Sequence, residues 1–252
     1  MLSLNDIEVI KEQSYACLPS QLSNVCEVYP LKMEEIIKMG SDKYKGYLNL
    51  LLLTEAEIAK MIEEKAKIEV DLSEITTLSY LLQSAKLSDS FLLDLQNAFT
   101  TFIKEEVLLL PKINAVLIGN DFSKKRLITE KNFSDFQDIL RIQNRRPIEE
   151  PPPENESPIA KKFRLKREMR DAVKKKQQQK NGTGLSTCDL LGIAETFHID
   201  WRNCSVYSFY VLLERHQLKE KWQQDIQMLC AGADSQKLKT KYWGESLDKK
   251  DE

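Results

Sequence analysis

Residues 147–158 hold five of the chain's eight prolines (Pro147, Pro151, Pro152, Pro153 and Pro158) together with Glu149, Glu150, Glu154 and Glu156. Prolines remove backbone donors and the glutamates resist burial, so this stretch predicts an extended, solvated linker. Residues 161–180 then reverse the sign. Lys161, Lys162, Arg164, Lys166, Arg167, Arg170, Lys174, Lys175, Lys176 and Lys180 stand against Glu168 and Asp171. Phe163, Met169 and Val173 are too few for a packed face, so the segment reads as a solvated, partly helical basic arm closed by Asn181-Gly-Thr-Gly184. A chain of 252 residues interrupted in this way is expected to fold as pieces on either side. These are an N-terminal domain over 1–146, the linker and arm over 147–184, and a C-terminal helical domain with a charged tail over 185–252.

Glycine is sparse, eight residues in the whole chain, roughly half of average usage. Few glycines mean few tight turns and few phosphate-cradling loops, so helices should dominate. The expected fold class is mainly α, with an α+β N-terminal domain. Residues 5–14 predict a short helix and Cys26-Glu-Val-Tyr-Pro30 a strand stopped by its proline. Leu31, Ile36, Ile37 and Met39 predict a helix ending at Gly40. Ser41 or Asp42 caps a second helix carrying Tyr44, Tyr47, Leu48 and the leucines at 50–53. Thr54-Glu-Ala-Glu57 matches a capping box and opens a third. Two more are expected near 73–84 and 88–104, the latter with a stripe of Phe91, Leu92, Leu95, Phe99, Phe102 and Ile103. Short apolar runs at 106–110, 115–118 and 126–129 then read as two or three strands of a small antiparallel sheet. Asn132 or Ser134 caps a closing helix that stops before Pro147.

In the C-terminal piece, Ser186 or Thr187 caps a short helix over Leu190, Leu191, Ile193 and Phe197. A long helix from Trp201 to Ala231 follows, stopped by Gly232. Its apolar residues Val206, Phe209, Tyr210, Leu213, Leu218, Trp222, Ile226 and Leu229 recur in steps of three and four, one stripe along about seven turns. Such a stripe is ordinarily core. An aromatic stripe in so short a segment also suits burial against another molecule. Val206, Phe209, Tyr210, Leu213, Trp222 and Ile226 are therefore the candidate partner-binding residues.

The formal net charge of -2 argues against a globally basic nucleic-acid binder and against a disordered acidic chain. The basic arm is the one stretch suited to phosphates, through salt-dependent contacts. With Phe163 its sole aromatic, it lacks the rings that would stack on bases. The start of the chain lacks the pattern of a signal peptide, and the longest apolar run, 50–53, is far short of a bilayer span. The chain is expected in the cytoplasm, without a membrane segment and with its five cysteines reduced. No reactive constellation emerges. His198, His216, Cys188, Cys204 and Cys230 lack the paired spacing of a zinc site, and Cys204 lies twelve positions from His216 on the predicted long helix. No enzymatic activity, metal or cofactor is expected.

Several blocks resemble the tail assembly chaperones of bacteriophages and prophages of Gram-positive hosts. Val28-Tyr-Pro-Leu-Lys-Met-Glu-Glu-Ile-Ile-Lys-Met-Gly40, with Lys43, Tyr44, Tyr47 and Leu48, is similar to their opening helical block. Thr129-Glu-Lys-Asn-Phe133 with Ile139-Leu-Arg-Ile-Gln-Asn144 is similar to the block closing their first domain. Ile199-Asp-Trp201, the aromatics at 207–209, Glu214-Arg215, Ala231-Gly-Ala-Asp234 and residues 239–243 resemble their C-terminal helical domain. The resemblance implies a host-cytoplasmic protein that holds the tape-measure protein in solution and recruits tail-tube subunits, with self-association also open. It departs in carrying both halves on one polypeptide, where such chaperones often occur as a short product and a frameshifted extension. The alternatives are a structural or adaptor subunit of the particle, and a nucleic-acid-binding protein acting through the basic arm.

Overall fold

The computed structural model describes residues 2–66, 76–119, 126–148, 185–233 and 242–245, with Phe163, Arg167 and Arg170 between them. The protein is mainly helical, with an α+β portion containing two small antiparallel sheets. Helix α1 (Leu4–Tyr15) opens on a reciprocal cap: the Ser3 hydroxyl accepts the Asp6 N–H, and the Asp6 carboxylate accepts the Ser3 N–H. A hairpin follows, β1 (Ser20–Leu22) against β2 (Cys26–Val28), in the register Ser20↔Val28 and Leu22↔Cys26. Leu22, Cys26 and Val28 point into the core while Gln21 and Glu27 face water, the two-residue period of a strand. The sequence signals β2 alone, because Ser20-Gln-Leu carries a single apolar residue.

Helices α2 (Met33–Met39) and α3 (Ser41–Leu51) meet at Gly40, whose φ of 97° favours a residue without a side chain. Helix α4 (Glu55–Ala66) starts at the expected box, with the Glu57 N–H donating to Thr54 Oγ1 at 3.2 Å and the Thr54 N–H to Glu57 Oε2 at 3.3 Å. Helix α5 (Thr77–Leu87) is capped by Thr76, and residues 67–75, where its start is expected, lie outside the described residues. Ser88 alone separates it from α6 (Asp89–Ile103) and caps that helix by accepting the Phe91 N–H.

Strands β3 (Val107–Leu110), β4 (Ala115–Ile118) and β5 (Leu127–Thr129) form an antiparallel meander with the wholly buried β4 in the middle. Helix α7 (Glu130–Gln143) then begins earlier than its sequence suggests. Asn132 is not its cap residue. Its Oδ1 accepts the Thr129 N–H at 2.7 Å and its Nδ2 donates to the Leu127 carbonyl at 3.1 Å, joining strand end to helix start. Phe136 stacks on Phe99 and on Phe133 at ring separations of 5.5 and 6.0 Å, so α7 and α6 lock at the centre of the core. Gln137 Nε2 donates to the carbonyls of Leu51 and Leu53, acceptors that the end of α3 leaves open. Arg126 forks onto Glu105 at 2.6 and 2.8 Å and donates to the Val25 carbonyl, tying the hairpin to the larger sheet.

The C-terminal piece holds α8 (Thr187–Thr196), a 3-10 turn (Trp201–Asn203) and α9 (Val206–Cys230). Ser186 caps α8 in a box with Asp189, and Gly232 follows α9 at a φ of 91°. The expectation of a C-terminal domain with its own core is corrected. Ala194, Ile199, Val206, Phe209 and Leu213 belong to the same buried cluster as Phe99 and Phe136. Two helices enclose too little apolar surface by themselves. Here α9 packs on α1 and α7, and the 3-10 turn packs on α2 and α8. Most of the proline-rich and basic stretch lies outside the described residues.

Because the core is shared, Phe209→Ala should destabilise the whole body, by about 3–5 kcal/mol for a fully buried aromatic. Chemical denaturation followed at a probe in the β3–β5 sheet and at a probe on α8 should give coincident transitions. Loss of α8 and α9 while the sheet stays folded would contradict the shared core.

Candidate interaction surface

Helix α9 enters the body through a short seam. Ser205 is its N-cap: the hydroxyl accepts the Ser208 N–H at 3.0 Å and donates to the Ser14 carbonyl, at the end of α1, at 2.6 Å. On the other side, Lys32 and Ser205 form an isolated antiparallel bridge. The Met33 N–H reaches the Cys204 carbonyl at 2.9 Å, and the Val206 N–H reaches the Leu31 carbonyl at 3.3 Å. Above the seam, Arg145 donates to Glu214 at 2.7 Å and its guanidinium lies 5.5 Å from the Tyr207 ring centre. His216 stacks on Phe197 at 5.0 Å and 8° between planes, fixing α8 against α9.

These contacts divide α9 into two unlike halves. In residues 206–216 only Tyr210 is exposed; Val206, Phe209, Ser208 and Leu213 are buried. Of residues 217–230 most are exposed, Asp225 alone is buried, and Leu218, Trp222 and Leu229 are half-covered. Ile226 keeps 38% and Met228 45% of its surface in water. The outer half spans about 20 Å at the usual helical rise. A short terminal segment lies back along it: Arg215 Nη1 donates to the Trp243 carbonyl at 2.6 Å and also to the Glu245 carbonyl. The Tyr242 ring meets Trp222 edge-on, 6.0 Å between centres.

The six candidate residues therefore separate. Val206, Phe209 and Leu213 are core, which corrects their assignment to a partner: they join the common buried cluster where α9 packs on α1 and α7. Tyr210 is exposed but set against Phe209, 5.6 Å away edge-on. Trp222 and Ile226 do lie on accessible surface, and Tyr242 joins Trp222 there, while Met228 is exposed on the other side of the helix. Met228 escaped the sequence reading because it falls off the three-and-four stripe, and Tyr242 because it sits in a charged tail. Of the basic arm, Arg167 and Arg170 are described and exposed, as is Phe163. Lys161, Lys162, Arg164, Lys166, Lys174, Lys175 and Lys176 lie outside the described residues.

No group of three or more His, Cys, Asp or Glu side chains is placed to hold a metal ion among the described residues. His216 is taken up by its ring stack, and Cys204 Sγ donates to the Asp200 carbonyl at 3.3 Å on the 3-10 turn. No described helix is long and apolar enough to cross a membrane.

The two halves should respond differently to change. Ser205→Ala removes a cap and the link to Ser14, and should cost about 1–2 kcal/mol in denaturant unfolding. Ile226→Glu and Met228→Glu, on the outer half, should stay within about 0.5 kcal/mol of the parent protein.

No family model, curated protein or solved structure matches the chain.

Proposed function

We propose that the chain is a non-enzymatic assembly chaperone of a phage or prophage tail, holding the tape-measure protein by an apolar helical surface and recruiting tail-tube subunits. The observation that supports this reading is the outer half of α9. It presents Trp222 and Ile226, four residues apart on one face, beyond the point where the same helix has finished filling the core. A tape-measure protein is a long helical chain, and an amphipathic helix laid against an apolar stripe is the expected mode of capture. The root of α9, fixed by Ser205, Arg145 and Phe209, makes the outer half a pre-oriented surface, which lowers the ordering cost of binding.

Co-expression with the tape-measure and tail-tube proteins of the same tail operon tests the reading. The parent chain should retain the tape-measure protein through affinity purification. The variant Ile226→Glu should reduce retention at least about tenfold, as expected for loss of an interface-centre contact, with unfolding unchanged. Failure to retain either protein, or equal retention by the variant, overturns it. A chaperone should also be missing from purified particles while abundant in the soluble lysate, whereas a particle subunit would be found in both.

A further inference from the structure

The seam that seats α9 also brings together two thiols distant in sequence. Cys17 follows the end of α1 with a φ of 58°, a left-handed conformation that turns the chain back towards the seam. Its Sγ donates to the Asn203 carbonyl at 3.3 Å across a sequence separation of 186. The Ser14 carbonyl accepts the Cys17 N–H at 3.2 Å and the Ser205 hydroxyl at 2.6 Å. Cys17 thus bonds directly to one neighbour of Cys204, Asn203, and shares the Ser14 carbonyl as acceptor with the other, Ser205. A carbonyl oxygen lies about 2.8 Å from the next Cα across a trans peptide. The Cys17 sulfur is therefore within about 6 Å of the Cys204 Cα, and the Cys17 thiol is one of the neighbours that act on the Cys204 thiol.

We propose that Cys17 and Cys204 are a redox modification site, forming an intramolecular disulfide on exchange with a low-molecular-weight disulfide such as oxidised glutathione. Both thiols are partly accessible, and each makes a weak S–H···O bond to a backbone carbonyl, Cys204 also meeting the Ser208 hydroxyl. Burial pushes the Cys204 thiol up from its ordinary range, so the first exchange falls on Cys17. The Cys17 thiolate attacks one glutathione sulfur, forming a mixed disulfide and releasing one glutathione thiolate. The Cys204 thiol then loses its proton to solvent and its sulfur displaces the second glutathione thiolate. Two protein thiols are oxidised and one glutathione disulfide is reduced to two thiols.

The other cysteines serve as internal references. Cys26 is buried in the β1–β2 hairpin, its thiol pushed up to about 12 by burial. Cys188 on α8 and Cys230 at the end of α9 are exposed. The bond would fasten the end of α1 to the entrance of α9 and set the root of the outer surface covalently. This inference does not depend on what that surface binds.

The test is oxidation of the full chain in a graded series of reduced and oxidised glutathione, with alkylation of remaining thiols and non-reducing peptide mapping. The expected result is a peptide containing Cys17 joined to one containing Cys204, at a redox ratio where Cys188 and Cys230 are free or singly glutathionylated. The cross-link should raise Tm by about 5 °C or more, reversibly with dithiothreitol. Cys17→Ser and Cys204→Ser should each abolish both the joined peptide and the shift. If Cys188 and Cys230 become glutathionylated while Cys17 and Cys204 are recovered unlinked, the proposal is overturned.

Discussion

Leu31, Lys32 and Met33 lie alongside Cys204, Ser205 and Val206, and the attachment of the C-terminal helices depends on that short pairing. Buried backbone groups need partners, and those at 31–33 find theirs in a segment that follows them by more than 170 positions. The hydrogen bonds fix direction and register, and the apolar side chains just beyond, Val206, Phe209 and Leu213, fix depth. Neither would suffice alone. Hydrogen bonds exchange with water at small net gain, and apolar burial has no directional preference. Together they make one body from pieces that the intervening proline-rich stretch would separate.

The result is a helix with a uniform pattern and two environments. Periodicity identifies α9 and its stop at Gly232, but the helix begins at Val206, five residues later than expected, because Trp201–Asn203 form a 3-10 turn and Ser205 is the cap. What the pattern cannot carry is the position along the stripe at which the body ends. That depends on how far α1 and α7 extend beside it, a matter of tertiary packing. The same distinction runs through the fold. Local features are legible: the caps at Thr54, Ser88 and Ser186, the turn at Gly40, the three-strand run and the greasy face of α6 all follow from neighbours within a few residues. Features requiring a distant partner are not. Strand β1 exists because β2 pairs with it, and the sharing of a core by Ala194 and Phe136 leaves no mark in either segment. Asn132 is an intermediate case. Its residue type signals a helix start, but it stands three residues past the actual cap, Thr129, and its side chain spans from strand end to first turn.

Polar side chains at the junctions do work that apolar packing cannot. Gln137 reaches open carbonyls at the end of α3, Gln143 reaches the Val28 carbonyl at 2.9 Å, and Arg126 joins hairpin to sheet. Arg145 has a φ of 51°, a conformation uncommon for a residue with a side chain, and its guanidinium bears on Glu214 and Tyr207. These groups rank low as core or as site by residue type. In the structure they define how the layers meet, because each pairs a specific donor with a specific acceptor.

Arg215 gives the far end of the polypeptide a place. By holding the Trp243 and Glu245 carbonyls it keeps Tyr242 against Trp222, so the accessible aromatic patch is composite, one ring from the long helix and one from the terminus. Binding at that patch would therefore be coupled to the seating of residues 242–245: losing the Arg215 contacts would leave the Trp222 ring without its edge-on neighbour.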